Sequence, residues 1–122
     1  LFPFIDCSNL LNAATEASRI SGCSVLLKCA HSVIADPSGR TWQIGESDSF
    51  SARTGLGDVL AGFVAGMGAL GLAANKKLDT TLLAASALVH SQAASYCQEG
   101  SAASSIAQEL ACLAKSYYQG KM

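Results

Sequence analysis

Residues 54–62 read Thr54-Gly55-Leu56-Gly57-Asp58-Val59-Leu60-Ala61-Gly62, and this nonapeptide frames the rest of the chain. Two glycines and an aspartate stand at the head of an apolar run of helical length. Gly55 and Gly57 leave the backbone bare, so that successive N–H groups can approach an anion closely. The helix that follows adds unpaired N–H groups and the positive end of its dipole. Asp58 then supplies a carboxylate beside that anion hole. Such a combination suits phosphoryl transfer, in which positioning and charge stabilisation do most of the catalysis. An ordinary aspartate N-cap after a glycine turn produces the same letters.

Working outward, the spacing predicts a short helix over Asn12 to Ser21, with Ala13, Ala17 and Ile20 on one face and Gly22 ending it. Ser24 to Leu27 reads as a strand covered on both faces. Ser32 to Ala35 and Thr41 to Ile44 read as a hairpin joined by Asp36-Pro37-Ser38-Gly39, a type I turn. Trp42 is expected to pack rather than to stack on a ligand. A polar loop, Gly45 to Arg53, leads to the first long helix, from Asp58 to about Leu72. Its Ala61, Gly62, Ala65, Gly66, Gly68 and Ala69 form a small-residue surface, expected to be tightly packed to offset the glycines. Asn75 to Leu78 is a loop. Asp79 or Thr80 caps a second helix to about Gln98, stopping at Gly100. Ser105 with Gln108 reads as a capping box opening a third helix, to about Tyr118.

The chain has 122 residues, half of them apolar, and a net charge of −1. It is long enough for one core and too apolar for disorder. With no Lys/Arg cluster, no nucleic-acid partner is expected and no anionic membrane. The apolar run from Val59 to Ala74 holds four glycines (Gly62, Gly66, Gly68, Gly71) and reads as shorter than a membrane span. No signal peptide is read at the N-terminus. The five cysteines (Cys7, Cys23, Cys29, Cys97, Cys112) form no Cys-x-x-Cys pair and no zinc spacing. They are expected to be reduced and mostly buried in a cytoplasmic protein.

The order helix, strand, hairpin, three helices is an α/β pattern. Val25-Leu26-Leu27-Lys28, then Val33-Ile34-Ala35-Asp36-Pro37-Ser38-Gly39-Arg40, then the Gly-x-Gly-Asp helix, then Val89-His90 form an ordered series. That series resembles the C-terminal half of the ADP/ATP-dependent NAD(P)H-hydrate dehydratases, a branch of the ribokinase-like kinases. The similarity runs from about Ser24 to Gln92 and more weakly to about Leu110. It implies a single partial domain over residues 1–122, the C-terminal part of a three-layer α/β/α fold. A second copy or a partner chain would then complete the sheet, since a half-sheet exposes an edge and apolar helix faces.

The resemblance also implies roles. Asp58 would face the hydroxyl of the hydrated nicotinamide ring in the S form of NAD(P)HX and act as base for its phosphorylation, after which phosphate is eliminated. Gly55, Gly57 and the Asp58 N–H would hold the phosphoryl group. Lys28, Cys29, Ala30, His31 and Ser32 stand where the family's Lys-Gly-Ala-Gly-Thr loop meets the adenine nucleotide, with ADP or ATP as donor and Mg²⁺ on its phosphates. Both glycines of that loop are replaced here, by Cys29 and His31; a need for positive φ or for close backbone approach at either would weaken binding. His90 matches a family helix histidine, and its plain reading is a packed residue donating to backbone or water. Arg53 is placed to reach a phosphate or to be solvated. Phe4 occupies the place of a substrate-touching histidine. An NAD(P)HX epimerase is a possible associate, as in some relatives. Two other readings stay open: a ribokinase-like kinase of a sugar or vitamin, and a non-catalytic nucleotide-binding module.

Overall fold

The computed structural model describes residues 5–29, 31–45, 55–97 and 101–118. Its elements follow in the order α1 (Leu10–Ser21), β1 (Val25–Leu27), β2 (Ser32–Ala35), β3 (Thr41–Ile44), α2 (Leu56–Ala73), α3 (Thr80–Tyr96) and α4 (Ala103–Tyr118). The strands form an antiparallel meander, β1-β2-β3, in which Leu26 faces Ile34 and Ile34 faces Trp42. The hairpin closes as expected, with the Gly39 N–H donating to the Asp36 carbonyl at 3.0 Å and the Asp36 N–H to the Arg40 carbonyl at 3.0 Å. Gly39 is left-handed, the arrangement of a type I turn followed by a glycine bulge.

Successive side chains of a strand point to opposite faces, and the central strand β2 is covered on both. Val33 and Ala35 meet Ala14 of α1, with Leu27 beside them. The opposite face carries Ile34, which is fully buried, and there α3 crosses β2 and β3. The helices α2, α3 and α4 pack on one another around Leu56, Ala93, Ala94, Ile106 and Leu110. The result is α1, a three-stranded sheet, and a helical layer: an α/β arrangement with a small sheet.

Caps explain most of the helix boundaries. α1 starts two residues before the expected Asn12, because the Asn9 side chain accepts the Asn12 N–H at 3.1 Å. Gly22 ends it in the left-handed conformation, and Ser18 Oγ donates to the Cys23 carbonyl at 2.6 Å, tying the helix end to the approach to β1. Asp79 caps α3 through the Leu82 N–H at 3.1 Å. α4 starts at Ala103, two residues before the expected capping box; the Ser105 N–H is engaged with the Ala102 carbonyl at 3.0 Å, so Ser105 lies inside the first turn. The expected stop at Gly100 lies outside the described residues, and α3 ends at Tyr96.

Several packing expectations are corrected. β1 is half-buried along its length, because it is the edge strand of the sheet. Trp42 is 44% exposed, since its strand is the other edge. None of the cysteines is fully buried: Cys7, Cys23 and Cys112 are exposed, Cys29 and Cys97 half-buried, and all are free thiols. The small-residue surface of α2 is open: Ala61, Gly62, Ala65, Gly66 and Ala69 are exposed, and Gly68 alone of the six is buried. α2 also begins two residues before Asp58. At 18 residues and a mean hydropathy of 1.7 it is, by length and composition, long and apolar enough to cross a membrane, with 17% of it buried. The same length and composition mark a helix covered on all sides within a larger core.

Candidate functional site

The start of α2 is built differently from the starts of α1 and α3. Asparagine and aspartate cap those two helices with a side-chain oxygen. At α2 the N-cap is Gly55, left-handed at φ 85°, with no side-chain hydrogen bond to the turn. Its carbonyl accepts the Val59 N–H at 3.1 Å, so the helix ladder begins normally while the N-cap residue itself leaves the first N–H groups without a side-chain partner. A side chain at position 55 would meet Ala103 Cβ at 3.6 Å; the conformation rather than the space calls for glycine there. Leu56 is buried and anchors the turn in the core. Gly57 and Asp58 follow, both exposed, and a Cβ at Gly57 would meet nothing within 4 Å. Asp58 is therefore not an N-cap. It is the third helical residue, with its carboxylate open to solvent beside the positive end of the dipole.

The Lys28–Ser32 segment connects β1 to β2. Lys28 is exposed at the end of β1. Cys29 is half-buried, with its thiol turned to the carbonyls of Leu27 and His31. His31 is exposed, and its Nδ1 lies 3.1 Å from the Gly45 carbonyl, which ties the loop to the end of β3. Ser32 is the first residue of β2. Among the described residues, Asn75 is the one non-glycine with positive φ. Cys29 and His31 therefore sit in ordinary backbone regions, and the loss of glycine at these two places costs no strain in this conformation. Ala30, Phe4, Arg53 and Thr54 lie outside the described residues.

The fold brings the two segments together. A small cleft of about 30 Å³ is bounded by Lys28, Cys29 and Ser32 on one side and by Leu56, Leu60 and His90 on the other. A shallow groove of about 410 Å³ runs from Leu26 and Lys28 past Gly57 and along Ala61, Val64 and Ala65 of α2. Lys28 is common to both. Positions 57, 61, 64 and 65 are spaced as one face of a helix, so this face was readable from the small residues recurring every fourth position. The partner wall, Leu83 of α3, was not, because it depends on how α3 is placed.

His90 sits beneath both segments. It is 3% exposed, and its Nε2 lies 3.2 Å from the Leu56 carbonyl. Burial lowers its pKa, the nearby Lys28 cation lowers it further, and the bond to Leu56 opposes them. The expected packed histidine donating to backbone is what the structure contains; its acceptor at the head of α2 was not foreseen. Among the described residues no three His, Cys, Asp or Glu side chains come together.

Known proteins are similar to this chain in sequence. The family model described as NAD(P)H-hydrate dehydratase matches residues 1–116. A bifunctional NAD(P)H-hydrate repair enzyme Nnr from Synechocystis sp. is 43% identical over 94 residues, covering 76% of this chain and 17% of that protein. Its namesake from Gloeobacter violaceus is 41% identical over 64 residues, covering 52% of this chain and 13% of that protein. The matched stretch thus spans less than a fifth of either relative. No solved structure matches. On the family match, with the Gly-x-Gly-Asp helix and the Lys28 loop folded against each other, the chain belongs to the NAD(P)H-hydrate dehydratase family, whose fold is ribokinase-like.

Proposed function

We propose that the chain serves nucleotide-dependent repair of hydrated NADH and NADPH, acting on the S form by phosphorylating the ring hydroxyl and eliminating phosphate. The observation that carries this reading is the head of α2: a helix whose N-cap is a left-handed glycine, Gly55, with an open Gly57 beside the exposed Asp58, facing the groove that Lys28 shares. Family membership supplies the substrate class. The nucleotide, ADP or ATP, supplies the phosphoryl group when bound. Gly55, Gly57 and the Asp58 N–H receive that group as an anion. Lys28 balances its charge from the opposite wall, with Cys29, Ala30, His31 and Ser32 as the nucleotide-facing loop. Asp58 takes the proton from the ring hydroxyl as the hydroxyl oxygen attacks phosphorus, and the bond from phosphorus to the nucleotide breaks, releasing AMP from ADP or ADP from ATP. In the second step the C–O bond breaks, phosphate leaves with the electron pair, and a proton lost from the adjacent ring carbon restores the double bond.

In this reading the chain is one partial ribokinase-like domain over residues 1–122, completed by a second copy or a partner chain over the open face of α2. An epimerase activity belongs to the same repair, in keeping with the bifunctional names of the two relatives. The free thiols suit the reducing cytoplasm. The test is to incubate the protein with the S form of hydrated NADH, Mg²⁺ and either ADP or ATP, and to follow the return of NADH absorbance. Nucleotide-dependent recovery is expected in the wild type. In Asp58→Ala a loss of about 10²-fold or more is expected, the contribution of a positioned base. No recovery from a folded, nucleotide-saturated protein would move the reading to a kinase of another hydroxyl or to a non-catalytic module.

A further inference from the structure

The Leu56 carbonyl and the Gly57 N–H belong to one peptide unit, which is planar and trans. Whatever fixes the direction of the carbonyl therefore fixes the direction of the N–H on the opposite side. The carbonyl lies 3.2 Å from Nε2 of His90, a residue 3% exposed on α3. A carbonyl only accepts, so Nε2 carries the proton and donates. The carbonyl has two lone pairs, so this bond adds to the helix ladder rather than replacing it. The N-cap Gly55 offers the turn no side-chain bond, and Gly57 has no Cβ to limit rotation of the unit. His90 is thus a second restraint, beside the ladder, on a peptide plane that glycine leaves softer than other residues would, and that plane borders the groove shared with Lys28.

We infer that His90 is a positioning residue: by holding the Leu56 carbonyl it orients the Leu56–Gly57 peptide and aims the Gly57 N–H at the phosphoryl group. The inference rests on the proposed role of Gly57 as an anion donor. His90 touches neither substrate nor nucleotide in this account. It acts through one backbone unit, and any side chain that donates to the same carbonyl would do part of its work.

The test compares wild type, His90→Leu and His90→Gln in the protein, the glutamine amide keeping a donor. Two readouts are needed: kcat against KM for the nucleotide, and the Gly57 amide resonance of ¹⁵N-labelled protein titrated with ADP. The wild type is expected to show a Gly57 shift on adding ADP. His90→Leu is expected to lose about tenfold or more in kcat, with KM moved by less than about threefold, and to lose the Gly57 shift, while His90→Gln recovers a large part of both. Equal kcat in His90→Leu, or a wild-type Gly57 resonance that ignores ADP, would overturn the inference. So would a His90→Gln variant as impaired as His90→Leu while folded to the same Tm, since the residue would then act by shape alone. The proposed function fails separately: a wild type that shows the Gly57 shift but returns no NADH would sink the dehydratase reading and leave the role of His90 standing.

Discussion

Gly57 is a residue that nothing in the described fold requires to be a glycine. Its φ is not left-handed, a Cβ there would meet nothing, and glycine weakens a helix by roughly 1 kcal/mol relative to alanine. Under the proposed function the demand comes from the phosphoryl group, which must approach the backbone closely. Beneath it, His90 shows the opposite situation, a polar group whose surroundings are fully set by the protein. Burial and Lys28 both disfavour its charged form, so the folded chain takes up the His90 proton at lower pH than the unfolded chain does. Unfolded histidine titrates near pH 6.5. Below that pH the unfolded state binds more protons than the folded state, and stability falls as pH drops toward the lowered folded pKa. Above about pH 7 this contribution is flat. Denaturant melts at pH 7.5 and at pH 5.5 are expected to show the wild type losing stability at the lower pH and His90→Gln losing less of it. Asp6, Glu16 and Asp36 are held low by the Ser8 amide, the Arg19 guanidinium and the Ser38 hydroxyl, respectively. Their titration lies at more acidic pH and leaves this window to histidine.

At the scale of elements, α2 and α3 start by different devices, and the difference is testable. Asp79 caps α3 with a side-chain oxygen, so Asp79→Ala is expected to cost about 1 kcal/mol. Gly55 caps α2 by conformation alone, at φ 85°, and Gly55→Ala is expected to cost about 1–2 kcal/mol through left-handed backbone strain. The two separate in ligand binding: thermal melts with and without ADP are expected to show the nucleotide-induced rise surviving Asp79→Ala and shrinking in Gly55→Ala. These same elements show what the sequence makes legible. The β2–β3 hairpin was readable to the residue, because Asp36-Pro37-Ser38-Gly39 satisfies one turn geometry and the alternation around it fixes the register. The order of elements followed from periodicity and turn signals, and the expectation that Lys28 and the Gly-x-Gly-Asp helix serve one site followed from the family resemblance. Boundaries failed where a better cap stood further upstream, as at Asn9. The Leu56–His90 contact spans 34 positions in the chain and depends on the way α3 packs, which no local pattern records.

At the scale of the whole molecule, the open face of α2 contradicts what its small residues imply. Gly68 is buried and would bring a Cβ to 3.4 Å from Leu78 Cδ2, which is how a glycine in a packed helix behaves. Gly62 and Gly66 would meet nothing within 4 Å, on a helix whose apolar residues are largely exposed: Leu70 is 66% accessible and Leu72 56%. Two glycines on a bare helix face are a net loss, and an exposed apolar face of this kind marks a surface that something else covers. The fold and the propensities then make opposite demands at these two positions. If the face stays bare in solution, Gly62→Ala and Gly66→Ala each remove a helix-weakening residue without creating a clash. Each is expected to add roughly 1 kcal/mol and to raise Tm by a few degrees in a circular-dichroism melt of this chain at low concentration. If the face is covered at close range, the added methyl groups have no room, and the same substitutions lower Tm and weaken assembly. Repeating the melts at rising protein concentration separates the two regimes. A stabilising effect at low concentration that reverses at high concentration is the expected signature of a helix built to be packed upon.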